Sequence, residues 1–404
     1  MQSSNRKNLY ILAFTLVVVM LGFGTVIPVM PFYIENLGAG GTELGLLVAS
    51  YAVMRLIFGP IWGNFSDRVG RKPVLMIGIF GYGITMILFG LATQLWMLFV
   101  FRILSGILSS ATSPTTMAYI GDSTPEEDRG QGMGILGAAV GVGTIVGPGL
   151  GGLLGRENLA LPFFIAGGMS FLALLLIWLL LPESLPAEAR RRTTEKKRLQ
   201  FSTIWRALSS SIGSLLLMAF LASFGLTTFF GIFGLYALEK YSAGPEAVGA
   251  IMMVFGLVTA LSQGLLVGPL TRRWGEVVVI QGTLVATAAG FLAISQADIF
   301  AIFLLAIGLF TLATALLTPA VSALTSRRTV LEQGLTMGLS NAAQSLGRIA
   351  GPLLGGIAFD LYLEYPNYIG AAFMFIGFLI SLIWLKADEP AGIVSDSADP
   401  STSA

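Results

Sequence analysis

Gly147-Pro148-Gly149-Leu150-Gly151-Gly152 and, 204 residues later, Gly351-Pro352-Leu353-Leu354-Gly355-Gly356 are one hexapeptide written twice, each time inside a long apolar run. Other pairs follow in the same order at nearly the same offset. Ser113-Pro114 matches Thr318-Pro319, Asp128-x-Gly130 matches Glu332-x-Gly334, and Gly63-Asn-Phe-Ser-Asp-Arg-Val-Gly70 has a worn copy in Gly268-Pro-Leu-Thr-Arg-Arg-Trp-Gly275. Parallel repeats of this size predict two six-helix halves related by an axis along a membrane normal.

Composition agrees with a chain dissolved in lipid. Hydrophobic residues make up 55%, charged residues 11%, and the mean hydropathy is +0.82, more apolar surface than one soluble core can hide. A net charge of +1 gives no reason to expect nucleic acid, and a chain without Cys or His lacks disulfides, thiolate chemistry and the usual metal ligands. No metal and no cofactor is expected. No Gly-x-x-x-x-Gly-Lys-Ser/Thr loop is present, which turns attention from nucleotide hydrolysis to gradients.

A helix needs about 20 mostly apolar residues to cross the hydrocarbon. Breaking the chain at its polar clusters gives twelve runs: 9–34, 43–63, 73–93, 95–121, 130–154, 161–181, 211–238, 246–269, 277–296, 299–325, 334–358 and 366–386. The expected fold is therefore an all-α membrane protein of twelve transmembrane helices in two six-helix bundles. The first bundle would occupy 1–181, a basic cytoplasmic linker 182–210, the second bundle 211–389, and a small, polar, disordered tail 390–404. Of 23 Lys and Arg, Arg156 and Lys240 fall on one side, Arg55, Arg102 and Arg348 fall within spans, and the remaining eighteen share the other side. That bias predicts a multi-pass protein of the cell membrane with both termini in the cytoplasm.

Between the second and third spans stands Gly63-x-x-x-Asp67-Arg68-x-Gly70-Arg71-Lys72. Gly63 permits close helix contact, Gly70 a tight turn, and the charges can pair across helix ends. Here the chain resembles the major facilitator superfamily over nearly its full length. The resemblance implies a latch for the outward-facing state, with Asp67 facing the start of span eleven and Arg71 pairing near Asp122. The fifth span, with Gly143, Gly147, Pro148, Gly151 and Gly152, resembles the motif of that family's antiporters, and Pro148 predicts a bend. Gly22-Phe-Gly-Thr-Val-Ile-Pro28-Val-Met-Pro31 and Arg102-x-x-x-Gly106 resemble the first and fourth spans of its twelve-span drug:proton antiporters.

Ionised side chains within spans are costly and ask for a reason. The resemblance gives Arg102 a part in proton transfer or in holding the coupling network, against the alternative of snorkelling to the interface. Asn341, Gln344 and Arg348 share one helical face of span eleven, and Tyr51, Arg55, Phe58 and Trp62 one face of span two. With Phe229, Phe230, Phe233 and Tyr236 on span seven and Gln263 on span eight, these are the candidates for a cavity lining. No Asp or Glu occupies the middle of a span, and Val19, Phe230 and Ala315 stand where related exporters carry acids. That departure argues against strongly cationic substrates.

The resulting expectation is a monomeric secondary exporter of small amphipathic compounds, energised by protons, as in multidrug efflux and antibiotic resistance. The alternative is an organic-anion or metabolite exporter, or a facilitator, without a dedicated coupling carboxylate. An intramembrane enzyme is disfavoured because no His, Cys or membrane-centred acid offers a nucleophile or base.

Overall fold

The computed structural model describes residues 3–123, 129–186, 190, 211–328 and 333–385, which places most of the linker, the tail, Asp128 and Glu332 outside the described residues. The first half contains α1 (Ser3–Val26), α2 (Met30–Glu35), α3 (Gly41–Val69), α4 (Arg71–Gly90), α5 (Leu95–Ser109), α6 (Thr112–Ser123), α7 (Arg129–Glu157) and α8 (Leu161–Leu180). The second contains α9 (Ser211–Tyr241), α10 (Pro245–Leu265), α11 (Val267–Ser295), α12 (Phe300–Arg328), α13 (Gln333–Leu361) and α14 (Tyr365–Trp384). Each half makes six crossings, because α1 with α2, and α5 with α6, are single spans interrupted once.

Proline accounts for the second interruption. Pro114 has no N–H for the Ser110 carbonyl, and the helix re-starts at Thr112. In α7 the helix runs unbroken through Pro148. Gly275 adopts φ 77°, dividing α11 into a short piece before it and a span after it. Its counterpart Gly70, φ 117°, separates α3 from α4; both positions need a residue without Cβ strain.

Among the described residues, eleven stretches are long and apolar enough to cross a membrane. The twelfth expected span is α13, equal to α7 in length but carrying a polar stripe that includes Asn341, Ser345 and Arg348. Leu179, Leu305 and Ile383 are exposed on the outer wall, where lipid is their solvent.

The duplication is visible atom by atom. A Cβ on Gly143, Gly147 or Gly151 would strike Met20, Gly24 or Thr25 of α1; one on Gly347 or Gly351 would strike Phe220 or Phe224 of α9, and one on Gly355 would crowd Thr228 at 3.2 Å. The neighbouring ridge faces the opposite half: Gly152 and Pro148 press on Pro245 and Gly249 of α10, while Gly356 and Pro352 press on Gly41 and Gly45 of α3. Gly45 and Gly249 are themselves 204 residues apart, as are Gly24 and Thr228. Small residues let these backbones touch where no hydrophobic effect drives helices together.

These cross-half seams lie at the end of the molecule away from the basic loops, and there the apolar core is continuous, joining Val29, Phe32 and Leu44 to Phe229, Phe233 and Met252. At the basic end the first half keeps a core of its own around Leu12, Leu75, Ile79 and Tyr119. Gly59, Gly134, Gly137, Gly264, Gly334 and Gly338, in the basic half of the helices, have open space where a side chain would stand. The bundles are thus shut at one end and parted at the other.

Candidate functional site

Between the bundles lies a cavity of about 760 Å³, large enough for a drug-sized molecule. Phe23, Ile27, Met30, Leu44, Val48 and Phe230 supply apolar wall. Tyr51, Arg55, Arg102, Ser110, Ser113, Thr227, Asn341, Ser345 and Arg348 supply the polar groups, and no Asp or Glu lines it among the described residues. A side lobe of about 340 Å³ shares Phe23, Tyr51 and Arg55 and runs into the first bundle past Val19, Tyr82 and Thr116.

Tyr51 organises the cationic side. Its hydroxyl lies 3.0 Å from Ser109 Oγ, the Arg102 guanidinium sits 4.4 Å from its ring centroid, and that of Arg55 sits 5.8 Å away. Gly106 allows this approach, since a Cβ there would meet Met54 at 2.8 Å and the Tyr51 carbonyl at 3.0 Å. Arg102 is 6% exposed and borders the cavity, so it does not snorkel to the interface. Its Nε has no hydrogen-bond partner.

Several expected lining residues lie elsewhere. On α13 the lining stripe runs Asn341, Ser345, Arg348, Pro352, and Gln344 falls to one side of it. On α9 the stripe is Thr227, Phe230, Gly231; Phe233 and Tyr236 point the other way. Phe233 is buried against Phe229 and Phe303. Tyr236 donates to Glu364 at 2.8 Å, within a buried cluster where Lys240 Nζ donates to Glu364 Oε1 at 2.6 Å. Gln263 is exposed and reaches the Ala315 carbonyl at 3.4 Å. Trp62 donates to the Ile107 carbonyl at 2.7 Å, joining α3 to α5, and neither it nor Phe58 borders the cavity.

The loop motif forms a compact knot. Arg71 is 7% exposed; its Nε donates to Asp122 at 2.8 Å and its Nη1 to Ser66 Oγ at 2.7 Å, with Asp67 Oδ1 at 2.6 Å. Asp67 therefore sits on Arg71, while Gly334 at the start of α13 has open space around it. Arg68 is exposed, and Lys72 Nζ donates to the Trp178 carbonyl at 2.9 Å. Gly63 has only Pro114 nearby, at 3.9 Å. Gly70 offers α4 no side-chain cap; Glu183 takes that place, accepting from Arg71 N–H at 2.8 Å and Lys72 N–H at 3.2 Å.

The same device recurs across the halves. Gly40 caps α3 without a side chain, and Glu43 returns to its N–H at 2.9 Å, which is half a capping box. The missing acceptor comes from the other bundle: Asp360, at the end of α13, accepts from Gly41 N–H and Thr42 N–H, both at 2.7 Å. Sequence reasoning missed Asp360 and Glu183. The available signal was a helix start with Gly at the cap and no local acceptor.

Two helical bundles thus enclose a cavity that opens at one end, the frame of a membrane transporter, and known proteins agree. The Major Facilitator Superfamily profile matches residues 12–213 and 215–402, and the chain belongs to that family, whose members are transporters rather than enzymes. Multidrug resistance protein 2 of Bacillus subtilis (strain 168) is 31% identical over 398 residues, covering 97% of this chain and 99% of that protein. The quinolone resistance protein NorA of Staphylococcus aureus (strain COL) is 27% identical over 380 residues, 93% of this chain and 96% of that one. Among solved structures, an inward-facing, unoccupied bacterial homolog of the human lysosomal transporter Spinster superposes with a TM-score of 0.77 at 17% identity, covering 97% of this chain and all of that one.

Proposed function

We propose that this chain is a drug exporter of the cytoplasmic membrane, moving small amphipathic compounds outward by tilting its two bundles about the central cavity. The observation that carries the reading is the cavity itself, apolar, between the halves, and open on the side of the basic loops. The charge bias puts that side, and both termini, in the cytoplasm. The multidrug and quinolone resistance relatives support drug-like cargo. One chain contains both halves of the cavity and works as a monomer.

The mechanism has two clasps. In the state described here Asp360 holds α3 to α13 at the outer end, stabilised by two charge-assisted hydrogen bonds to a helix N-terminus. In the opposite state Asp67 leaves Arg71 and takes the start of α13. Proton antiport supplies the energy, with Arg102, Asp67 and Asp122 as the groups through which it acts. In everted vesicles, a fluoroquinolone should accumulate when a pH gradient is imposed and leak back when an ionophore collapses it. Accumulation indifferent to the ionophore would overturn proton coupling; no accumulation under any gradient would overturn export.

A second reading, a facilitator or organic-anion exporter without proton coupling, is favoured by one observation. Neither the cavity nor its side lobe is lined by a carboxylate among the described residues.

A further inference from the structure

Three guanidiniums border one apolar chamber, and among the described residues none of them is in an ion pair. Arg102 is the most constrained. It is almost wholly buried, its charge is met only by the face of Tyr51, and its Nε has no acceptor. A ring face compensates a buried cation less completely than a carboxylate does. Arg55 lies 5.8 Å from the centroid of the same ring. Arg348 comes from the other bundle and lines the same cavity as Arg55, so two like charges face one chamber.

We propose that this cluster is an oxyanion subsite: the cargo is an amphiphile carrying a carboxylate or a comparable single oxyanion, held between Arg55 and Arg348 with Arg102 supplying field from behind Tyr51. The inference rests on the export reading and adds the charge of the cargo. A guanidinium presents paired donors in a plane, which suits two-oxygen acceptors, and Asn341 and Ser345 add neutral polar groups beside it. Phe23, Ile27, Leu44 and Phe230 receive the apolar remainder.

The geometry gives the anion a second task. Arg55 and Arg348 stand on opposite bundles, so while the cavity is empty their repulsion resists closing the basic end. An anion between them converts repulsion into a bridge. Loaded carrier then closes more readily than empty carrier, as an exporter requires.

The test uses the full chain in phosphatidylcholine nanodiscs, titrated calorimetrically with 4-octylbenzoate, its methyl ester and 4-octylbenzyltrimethylammonium, while spin labels report the distance across the basic end. The benzoate should bind about tenfold or more tighter than the ester, and shorten that distance. Arg55→Gln with Arg348→Gln should bring the ratio of benzoate to ester affinity close to one, and Arg348→Lys beside Arg55→Gln should restore part of it. Equal binding of benzoate and ester, tighter binding of the ammonium, or a preference that survives the double variant would each overturn the subsite. Phosphatidylglycerol mixed into the disc separates the sources: loss of benzoate affinity there assigns the oxyanion to a lipid headgroup, and unchanged affinity assigns it to a soluble amphiphile. Ester export in everted vesicles without a benzoate preference would leave the export reading standing and sink this one. A benzoate preference without export of any probe would do the reverse.

Discussion

The seam of α3 with α13 and the seam of α7 with α10 are built from the same glycine-proline ridge, yet they end in opposite charges. Asp360 closes the first by accepting two backbone N–H groups of α3; Arg156, 204 residues earlier, closes the second by pairing with Glu246 at 3.1 Å. The motif knot shows the same inversion. Arg71 with Asp122 in the first half becomes Glu276 with Arg327 in the second, at 2.8 Å in both. Duplication fixed the backbone contacts, which tolerate no side chain, and left the sign of the charges free so long as each pair stayed complementary. The burial differs too: Arg71 is within the fold, whereas Arg156 is 71% and Arg327 63% exposed at the side chain.

The sharpest way to break the comparison is to fill the ridges. Gly356→Leu and Gly152→Leu each force a side chain into a facing backbone that packs directly against the glycine, a strain of about 3 kcal/mol or more. Both should leave the outer end ajar and reduce vesicle transport by about a hundredfold, with size-exclusion profiles reporting that the protein still folds. If only one of the two does so, the seams are not equivalent.

Next comes the buried pair against the exposed one. Arg71→Ala strands Asp122 and Asp67, and should lower the thermal stability by about 2–4 kcal/mol. Glu276→Ala, whose partner Arg327 is exposed, should cost under about 1 kcal/mol. Equal costs would mean that burial does not set the value of these pairs.

Asp360→Ala removes the cross-bundle cap and should shift the equilibrium toward an open outer end by about 1–2 kcal/mol, or roughly five- to thirtyfold in population. Spin-label distances between α3 and α13 read that change. Asp360→Asn, which keeps an acceptor but loses the charge, should fall between. The smallest effect is expected of Arg156→Ala, about 0.5 kcal/mol or less on the same measurement and screened away by salt. An Arg156 effect as large as that of Asp360 would show that the two closures depend on charge alone and not on capping.

Much of this was legible in the chain. The repeat of Gly147-Pro148 at Gly351-Pro352 fixed the number of halves, and the polar stripe of span eleven located the cavity through Asn341 and Arg348. Gln344 is polar yet stands beside the lining stripe, which is set by helix angle and continues from Asn341 through Ser345 to Pro352. Tyr236 lies away from the cavity for a different reason. Its hydroxyl answers to Glu364 and Lys240, partners far along the chain that no local pattern announces. Asp360 belongs to the same class: its role exists only because a helix from the other half begins with Gly40-Gly41.

The bare ridges also bear on how fast the outer end works. Glycine and proline have no rotamers to freeze, so in the proposed alternating cycle remaking the Gly41–Gly356 and Gly152–Gly249 contacts would lose almost no side-chain entropy. Such a joint behaves like a dry bearing: apart from the Asp360 and Arg156 clasps, parting it forfeits only a thin layer of dispersion contact. On that proposal its speed would be governed by how readily surrounding acyl chains and water enter the gap, and turnover would follow the fluidity of the bilayer.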